Sequence, residues 1–245
     1  MSMDLGQFVR TTELNPDGDL GTFSPTYMNM GISYAKKFTD HIFVGMTIKM
    51  VHESITDVAA TGLGFDAGVQ YRTNLGKDSL HTDKLKLGIA LKNIGSSMRF
   101  GGDGLTFRTN RSDDFTSIAA RPSAEFEMPS VLAMGLSYDF YFGDVHRMTG
   151  VGGFISNTFS NDQLGLGLEY GFKSFLMVRY SFLYEKDILS SDDRMTAWTG
   201  HAAGVTVEIP FKTGKDMVST FGLDYSYRST NPFAGTHVIG VRIDL

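Results

Sequence analysis

Acidic and basic side chains occur singly within stretches that are otherwise rich in large apolar residues. The six that we single out are Asp66, Arg72, Glu169, Arg179, Asp224 and Arg242. A carboxylate opposite a guanidinium can hold a polar substrate, or the two groups can form an ion pair that satisfies both charges. Glu169 and Arg179 are spaced as if they stood on the two arms of one hairpin. We favour the ion-pair interpretation for all six residues.

The remaining residues form no catalytic or metal-binding motif. The chain has no cysteine, which excludes disulfides, thiolate chemistry and cysteine-ligated metals. Its six histidines, at positions 41, 52, 81, 146, 201 and 237, are scattered and show no spacing such as H-E-x-x-H. No G-x-S-x-G elbow occurs, and the glycine-rich runs at 62–68 and 165–171 do not fit the dinucleotide-binding pattern. We therefore predict no enzymatic activity, no cofactor and no metal.

The charged residues are positioned by segments with a period of two. In 162–184, large apolar residues alternate with glycine, serine and charged residues along two arms, and Gly171-Phe-Lys-Ser174 separates the arms. This pattern predicts a β-hairpin. Similar alternation recurs from Tyr27 to the C-terminus and predicts about eleven strands, most of a length that crosses a bilayer obliquely. No stretch has the pattern of a long amphipathic helix.

Composition agrees with a folded all-β chain. Of the 245 residues, 42% are apolar and 20% are charged, while 28 are glycines and 12% are aromatic. This mixture suits strands with small residues on one face and large residues on the other. The formal net charge of −5 gives no electrostatic basis for binding nucleic acid. No apolar run reaches the length of a membrane helix, and the N-terminus has no signal-peptide pattern.

The apolar strand faces must pack against lipid or against a second sheet. Lipid is favoured by the mid-strand charges of both signs, which a wet barrel lumen would accommodate, and by aromatic residues near the strand ends. The connections also alternate in length, short at 39–41, 142–146, 171–174 and 211–217, and mostly longer at 53–61, 96–128, 185–196 and 228–236, although 73–83 and 156–162 break the pattern. We predict an antiparallel transmembrane β-barrel in which the six charged residues face the lumen. A soluble β-sandwich with a binding role is the alternative.

The two ends of the chain suggest an incomplete barrel. Residues 238–245 alternate up to Leu245 and resemble the C-terminal strand of bacterial outer-membrane barrels, although the usual terminal aromatic residue is absent. If the C-terminus is periplasmic, about eleven strands place Tyr27 at the external side, whereas closed barrels of this class normally have an even strand count. We predict a polar external loop or partial strand at 1–26, barrel strands at 27–245, and missing strands upstream.

Several segments resemble the PorV/PorQ family. They are Asn15-Pro-Asp-Gly-Asp-Leu-Gly-Thr-Phe-Ser24, Gly31-Ile-Ser-Tyr-Ala-Lys-Lys-Phe38, Val44-Gly-Met-Thr-Ile-Lys49, Gly64-Phe-Asp-Ala-Gly-Val-Gln-Tyr71, Leu87-Gly-Ile-Ala-Leu-Lys-Asn-Ile-Gly95, Met134-Gly-Leu-Ser-Tyr138 and Gly167-Leu-Glu-Tyr-Gly171. The family comprises outer-membrane barrels related to FadL-type transporters. The resemblance implies a barrel of about fourteen strands, of which this chain is the C-terminal portion.

The resemblance also implies a function and a location. It places the protein in the outer membrane of a Gram-negative bacterium, in contact with outer-membrane lipid, translocon components of type IX secretion and secreted cargo proteins. The external connections at 96–128 and 185–196 would meet these partners. FadL-like transport of hydrophobic small molecules is an alternative, although it needs an apolar lumen pocket that the charged, glycine-rich inward faces do not obviously supply.

Overall fold

A computed structural model describes residues 2–13, 15–18, 20–74, 82–110, 116–173, 175–212 and 218–244. Within these ranges the chain is built from β-strands, with one short 3₁₀ turn at Asp103–Leu105. The predicted all-β fold class is therefore confirmed. None of the helical turns in the described ranges is long and apolar enough to cross a membrane. His81, Ser174 and Leu245, which carried sequence predictions, lie outside the described residues.

The strands of the described residues follow one another closely along the chain. In chain order they are β1 (Ser2–Asp4), β2 (Phe8–Val9), β3 (Thr22–Phe23), β4 (Thr26–Lys37), β5 (Ile42–Ile55), β6 (Val58–Thr73), β7 (Leu85–Gly95), β8 (Met98–Arg99), β9 (Thr106–Asn110), β10 (Thr116–Ala120), β11 (Glu125–Phe126), β12 (Val131–Phe142), β13 (His146–Asn157), β14 (Gln163–Phe172), β15 (Leu176–Glu185), β16 (Trp198–Lys212), β17 (Val218–Thr230) and β18 (Thr236–Asp244).

Twelve of these strands form one large antiparallel sheet. Its order is β1-β4-β5-β6-β7-β12-β13-β14-β15-β16-β17-β18, so that nearly every strand pairs with its neighbour along the chain. The eleven long strands correspond to those expected from Tyr27 onward. The twelfth is β1, whose residues pair with the start of β4. The segment predicted as a polar loop or partial strand at 1–26 thus contributes a short strand to the sheet.

Two predicted connections differ from the structure. The polar loop expected at 53–61 is wrong, because β5 and β6 continue to a two-residue turn at Thr56 and Asp57. Thr56 takes a left-handed conformation with φ of 47°, as tight hairpin turns require. The connection at 96–128 is not a plain loop, since it contains the paired strands β8–β11 and β9–β10. We call residues 96–130 the insertion. The predicted turns at 73–83 and 211–217 lie largely outside the described residues.

The exposure of apolar and charged side chains on the two faces of the large sheet is the reverse of that in a water-soluble protein. On β14, Leu164, Leu166 and Leu168 are exposed, Leu166 by 64%, and they alternate with glycines and Glu169. The other face carries the charged side chains, of which Lys49 and Asp139 are buried, to 8% and 3% exposure. Soluble proteins bury apolar side chains and expose charges. We call the two sides the apolar face and the polar face.

The chain divides into two compact units. The first comprises residues 1–36, 45–67 and 91–130. It contains a small apolar core of Val51, Ala60, Met98 and Met128, with Tyr27, Phe100 and Phe126 packed against it. Met98 and Met128 belong to the insertion, and Val51 and Ala60 belong to the β5–β6 hairpin. The insertion therefore covers this part of the hairpin with apolar side chains.

The second unit comprises residues 37–44, 68–90 and 131–245. It contains the long hairpins from β12 to β18, whose register is regular apart from a shift between Trp198 and Ala202. Its buried side chains are largely polar, including Asp139, Thr149 and Thr206. Buried polar groups are stable only when they are hydrogen-bonded, and their partners define the site described next.

Candidate functional site

Glu169 and Arg179 meet as the hairpin pattern predicts. They are direct cross-strand partners on β14 and β15, and Arg179 Nε donates to Glu169 Oε2 at 2.5 Å. Arg147 on β13 donates to the other carboxylate oxygen of Glu169. One carboxylate therefore accepts from two guanidinium groups on the strands to either side, an arrangement that holds all three side chains in place.

The network continues onto the next two strands. Arg179 Nη1 donates to Thr206 Oγ1 on β16 at 2.5 Å, and the Thr206 hydroxyl donates to Asp224 on β17. Arg179 also lies 3.9 Å from the Asp224 carboxylate. We call Arg147, Glu169, Arg179, Thr206 and Asp224 the charged rung. Its two cations and two acids balance, so that none of these charges lacks an opposite partner.

Arg242 makes a longer connection. It lies opposite Gly222 on β17, and Gly222 in turn lies opposite Glu208 on β16. The Arg242 guanidinium donates to Glu208 across the intervening strand and also to Asp244 at 3.1 Å. The guanidinium passes over Gly222, which has no side chain. A Cβ there would already lie 3.6 Å from Arg242 Nη2.

The other two predicted residues have different partners. Asp66 accepts from Lys49 Nζ at 2.6 and 2.9 Å and from the backbone N–H of Asn93 at 2.7 Å. Arg72 donates to Gln70 Oε1 at 2.8 Å, and its guanidinium lies 4.6 Å from the centre of the Phe43 ring. The structure thus gives Asp66 an ion-pair partner, whereas Arg72 is held by an amide and an aromatic ring.

A hollow lies beside the charged rung on the polar face of β13–β17. Its floor is made of residues with little or no side chain, namely Gly153, Gly165, Gly167, Ser181, Ala202 and Gly204. Val151 and Leu183 add aliphatic walls, and Arg179 and Asp224 reach its edge. Its volume is about 560 Å³, within the range of small-molecule sites. We call it the glycine hollow.

The arrangement favours binding over reaction. A site for acid–base or nucleophilic catalysis needs a base or nucleophile free to reach the substrate, whereas the charges of the rung are engaged with one another. In the part of the chain that the structure describes, no group of three or more His, Asp or Glu side chains is placed to hold a metal ion. The aliphatic walls and glycine floor instead offer an apolar surface to a solute.

Sequence reasoning missed several members of these networks. Arg147 was overlooked because alternation on β13 is weak, with three glycines in the strand. Lys49, Lys86, Asp139 and Glu208 are among the mid-strand charges, but their partners follow only from the register of the strands. Lys86 Nζ donates to Asp139 at 2.8 Å, and Thr149 donates to the same carboxylate at 2.6 Å. In the sequence, the glycine hollow is indicated only by small residues on adjacent strands.

Comparison with known proteins gives one structural likeness worth describing. No family model matches the sequence, and the search of characterised protein sequences finds no match. Among solved structures, the chain is similar to the CymD monoaromatic hydrocarbon channel, with 12% sequence identity and a TM-score of 0.42. The alignment covers 91% of this chain and 72% of that one.

Proposed function

We propose that the protein is a membrane-spanning barrel protein of the outer membrane of a Gram-negative bacterium, and that it binds and passes hydrophobic small molecules. The observation that carries the membrane placement is the reversal of the two sheet faces. Large apolar side chains cover the exposed face, whereas ion pairs and hydrogen-bonded polar groups occupy the other face and are buried or partly buried.

The energetics of the apolar face support this placement. Transfer of one large aliphatic or aromatic side chain from water to an apolar environment is worth roughly 1.5–3 kcal/mol. A continuous apolar surface over a dozen strands in water would promote aggregation, but acyl chains satisfy it. The sheet also pairs backbone groups between neighbouring strands, as a membrane-spanning sheet must.

The glycine hollow supports solute binding. It supplies an apolar pocket on the polar face, the feature that FadL-like transport requires. The paired charges at its edge leave the floor open to an uncharged solute, and the function requires no catalytic group. We therefore propose that the protein is not an enzyme.

Filling the hollow tests this function. Ala202 and Ala203 both lie at the hollow, but Ala202 pairs with Ser181 on the polar face and Ala203 pairs with Tyr180 on the apolar face, so Ala202→Leu and Ala203→Leu place the added side chain on opposite faces. We expect Ala202→Leu to slow the uptake of radiolabelled naphthalene by a Gram-negative host expressing the chain, by about fivefold, since a leucine occupies part of a ligand-sized pocket.

Ala203→Leu should leave that uptake unchanged. Surface levels of both variants are matched by a heat-dependent gel shift of outer-membrane fractions. Equal uptake by the two variants would refute solute passage through the hollow. Recovery of the protein in the aqueous fraction without detergent would refute the membrane placement itself.

A second candidate function is cargo handling alongside type IX secretion, as the PorV/PorQ resemblance implies. It is favoured by exposed apolar side chains on the insertion, since Phe107 and Ile118 lie on its β9–β10 hairpin. Replacement of both by Ser should abolish co-purification of secreted proteins while the sheet still inserts. Undiminished co-purification would exclude this hairpin as the contact.

A further inference from the structure

Three histidines on the apolar face share one arrangement. Each lies directly opposite an aromatic residue of the neighbouring strand, in the pairs His146–Phe172, His201–Phe182 and His237–Tyr227. The ring centres of these pairs are 5.5, 4.8 and 5.0 Å apart. The repeated contact holds each imidazole against the sheet.

A tyrosine completes each arrangement. It stands two residues before the cross-strand aromatic residue, in Tyr170-Gly-Phe172, Tyr180-Ser-Phe182 and Tyr225-Ser-Tyr227. Its hydroxyl lies 2.7, 2.7 and 2.8 Å from Nδ1 of His146, His201 and His237 respectively. We call the three sets the His–Tyr clusters. The same geometry arises three times from the same register.

The clusters lie near strand ends. His146 begins β13 and His237 is the second residue of β18, while His201 is three residues after the start of β16. On β14, Phe172 pairs with His146, and Leu166 pairs with Phe182, the partner of His201. The two levels are therefore six residue steps apart, about 20 Å along the strand. This separation is comparable to the apolar band of a membrane barrel.

The hydrogen bond to tyrosine decides what each imidazole can offer. When the phenol donates to Nδ1, the imidazole proton resides on Nε2. With the phenol as the donor, the exposed ring presents Nε2–H to an acceptor. At the boundary of a bilayer, the strong acceptors within reach are phosphate oxygens of lipid headgroups.

We propose that the three His–Tyr clusters bind lipid phosphate groups through Nε2–H. This inference rests on the membrane placement proposed above and is independent of solute passage. The occupant is a headgroup because the clusters are continuous with the apolar face and stand where its strands end. His52 provides the contrast, since its Nδ1 pairs with Thr61 Oγ1 at 2.8 Å and not with a tyrosine.

Solid-state NMR tests the contact directly. The full chain, labelled with ¹⁵N-histidine, is reconstituted in vesicles of dioleoylphosphatidylcholine or of digalactosyldiacylglycerol, which carries no phosphate. We expect ³¹P to dephase Nε2 signals in the phospholipid and not in the galactolipid. Absence of dephasing in phospholipid, for protein that shows the heat-dependent gel shift, would overturn the proposal. Absence of the gel shift would instead count against membrane insertion, and hence against both proposals.

Two variants assign the signal. The triple variant His146→Phe, His201→Phe and His237→Phe keeps the ring packing and should lose most of the dephasing. His52 is unchanged in this variant, and its ¹⁵N resonance should remain. The triple variant Tyr170→Phe, Tyr180→Phe and Tyr225→Phe keeps the histidines but releases Nδ1, and it should broaden the two nitrogen resonances into a tautomer mixture. Full dephasing in the histidine variant would overturn the assignment to these clusters.

Discussion

The β5–β6 hairpin and the β13–β17 hairpins share a strand pattern, but their polar faces are occupied differently. On β5–β6, the insertion contributes Met98 and Met128, which pack on Val51 and Ala60. On β13–β17, the charged rung and the glycine hollow occupy the corresponding face. Alternation therefore specifies which residues share a face. Partners distant in sequence decide whether that face is covered by apolar side chains, occupied by ion pairs or left open as a hollow.

The difference also separates two sources of stability. The covered hairpin depends on close packing, in which a single added methyl group can be costly. The β13–β17 hairpins depend on mutual satisfaction of charges, in which the loss of one partner leaves the other unpaired. Substitutions in the two regions should therefore lower the free energy of unfolding for different reasons and by different amounts.

We expect the largest loss of stability from a substitution at Gly95, where β7 lies close to the β6 backbone and to the insertion. A Cβ on Gly95 would collide with the Leu63 carbonyl oxygen and with Met128 Cε. Gly95→Ala should therefore lower the free energy of unfolding by about 3 kcal/mol, because backbone cannot move aside as a side chain can. Urea titration in detergent micelles, read by the heat-dependent gel shift, measures the change.

Gly88→Ala is the matched control for that substitution. It lies on the same strand, β7, and its Cβ would meet no atom within 4 Å. A change within about 0.5 kcal/mol is expected. If Gly95→Ala were equally mild, the close packing of the insertion on this hairpin would be wrong.

A smaller effect is expected at the charged rung. Glu169→Gln removes the carboxylate shared by Arg147 and Arg179, and it should cost about 2 kcal/mol, less than a fully buried pair because both guanidinium groups are partly exposed. Equilibrium urea unfolding in micelles gives the value, and high salt should shrink it only slightly.

The insertion supplies the control for the charged rung. Arg99 and Glu125 form an ion pair at 2.8 Å in which both side chains are more than half exposed. Glu125→Gln should therefore change stability by no more than about 0.5 kcal/mol. Equal losses in the two variants would mean that the rung contributes no more than a surface ion pair.

Much of the sheet was predictable because alternation is a local property. The strands around Glu169 and Arg179, their common hairpin and their contact all follow from a period of two and one turn. The two-residue turn after Ile55 was missed because polar residues such as Glu53 and Ser54 suggested a loop, although pairing with β6 continues through them.

The site was less predictable because it depends on register between distant segments. Asp66 pairs with Lys49 and Asn93, not with the nearby Arg72, and no local pattern distinguishes these choices. The histidines show no ligand spacing in the sequence. Three of them, His146, His201 and His237, share a Tyr-x-aromatic sequence on the neighbouring strand, which becomes visible only once the strands are aligned.

The ion pair between Arg242 and Glu208, which spans Gly222, also disfavours incorrect strand alignment. It joins strands that are not neighbours, so it forms only when three consecutive strands have taken their places. A slip of one residue in β18 would move Arg242 to the apolar face. That error leaves a charge on an apolar surface and also loses the ion pair with Glu208. The ion pair therefore couples the register of β18 to that of β16 and β17.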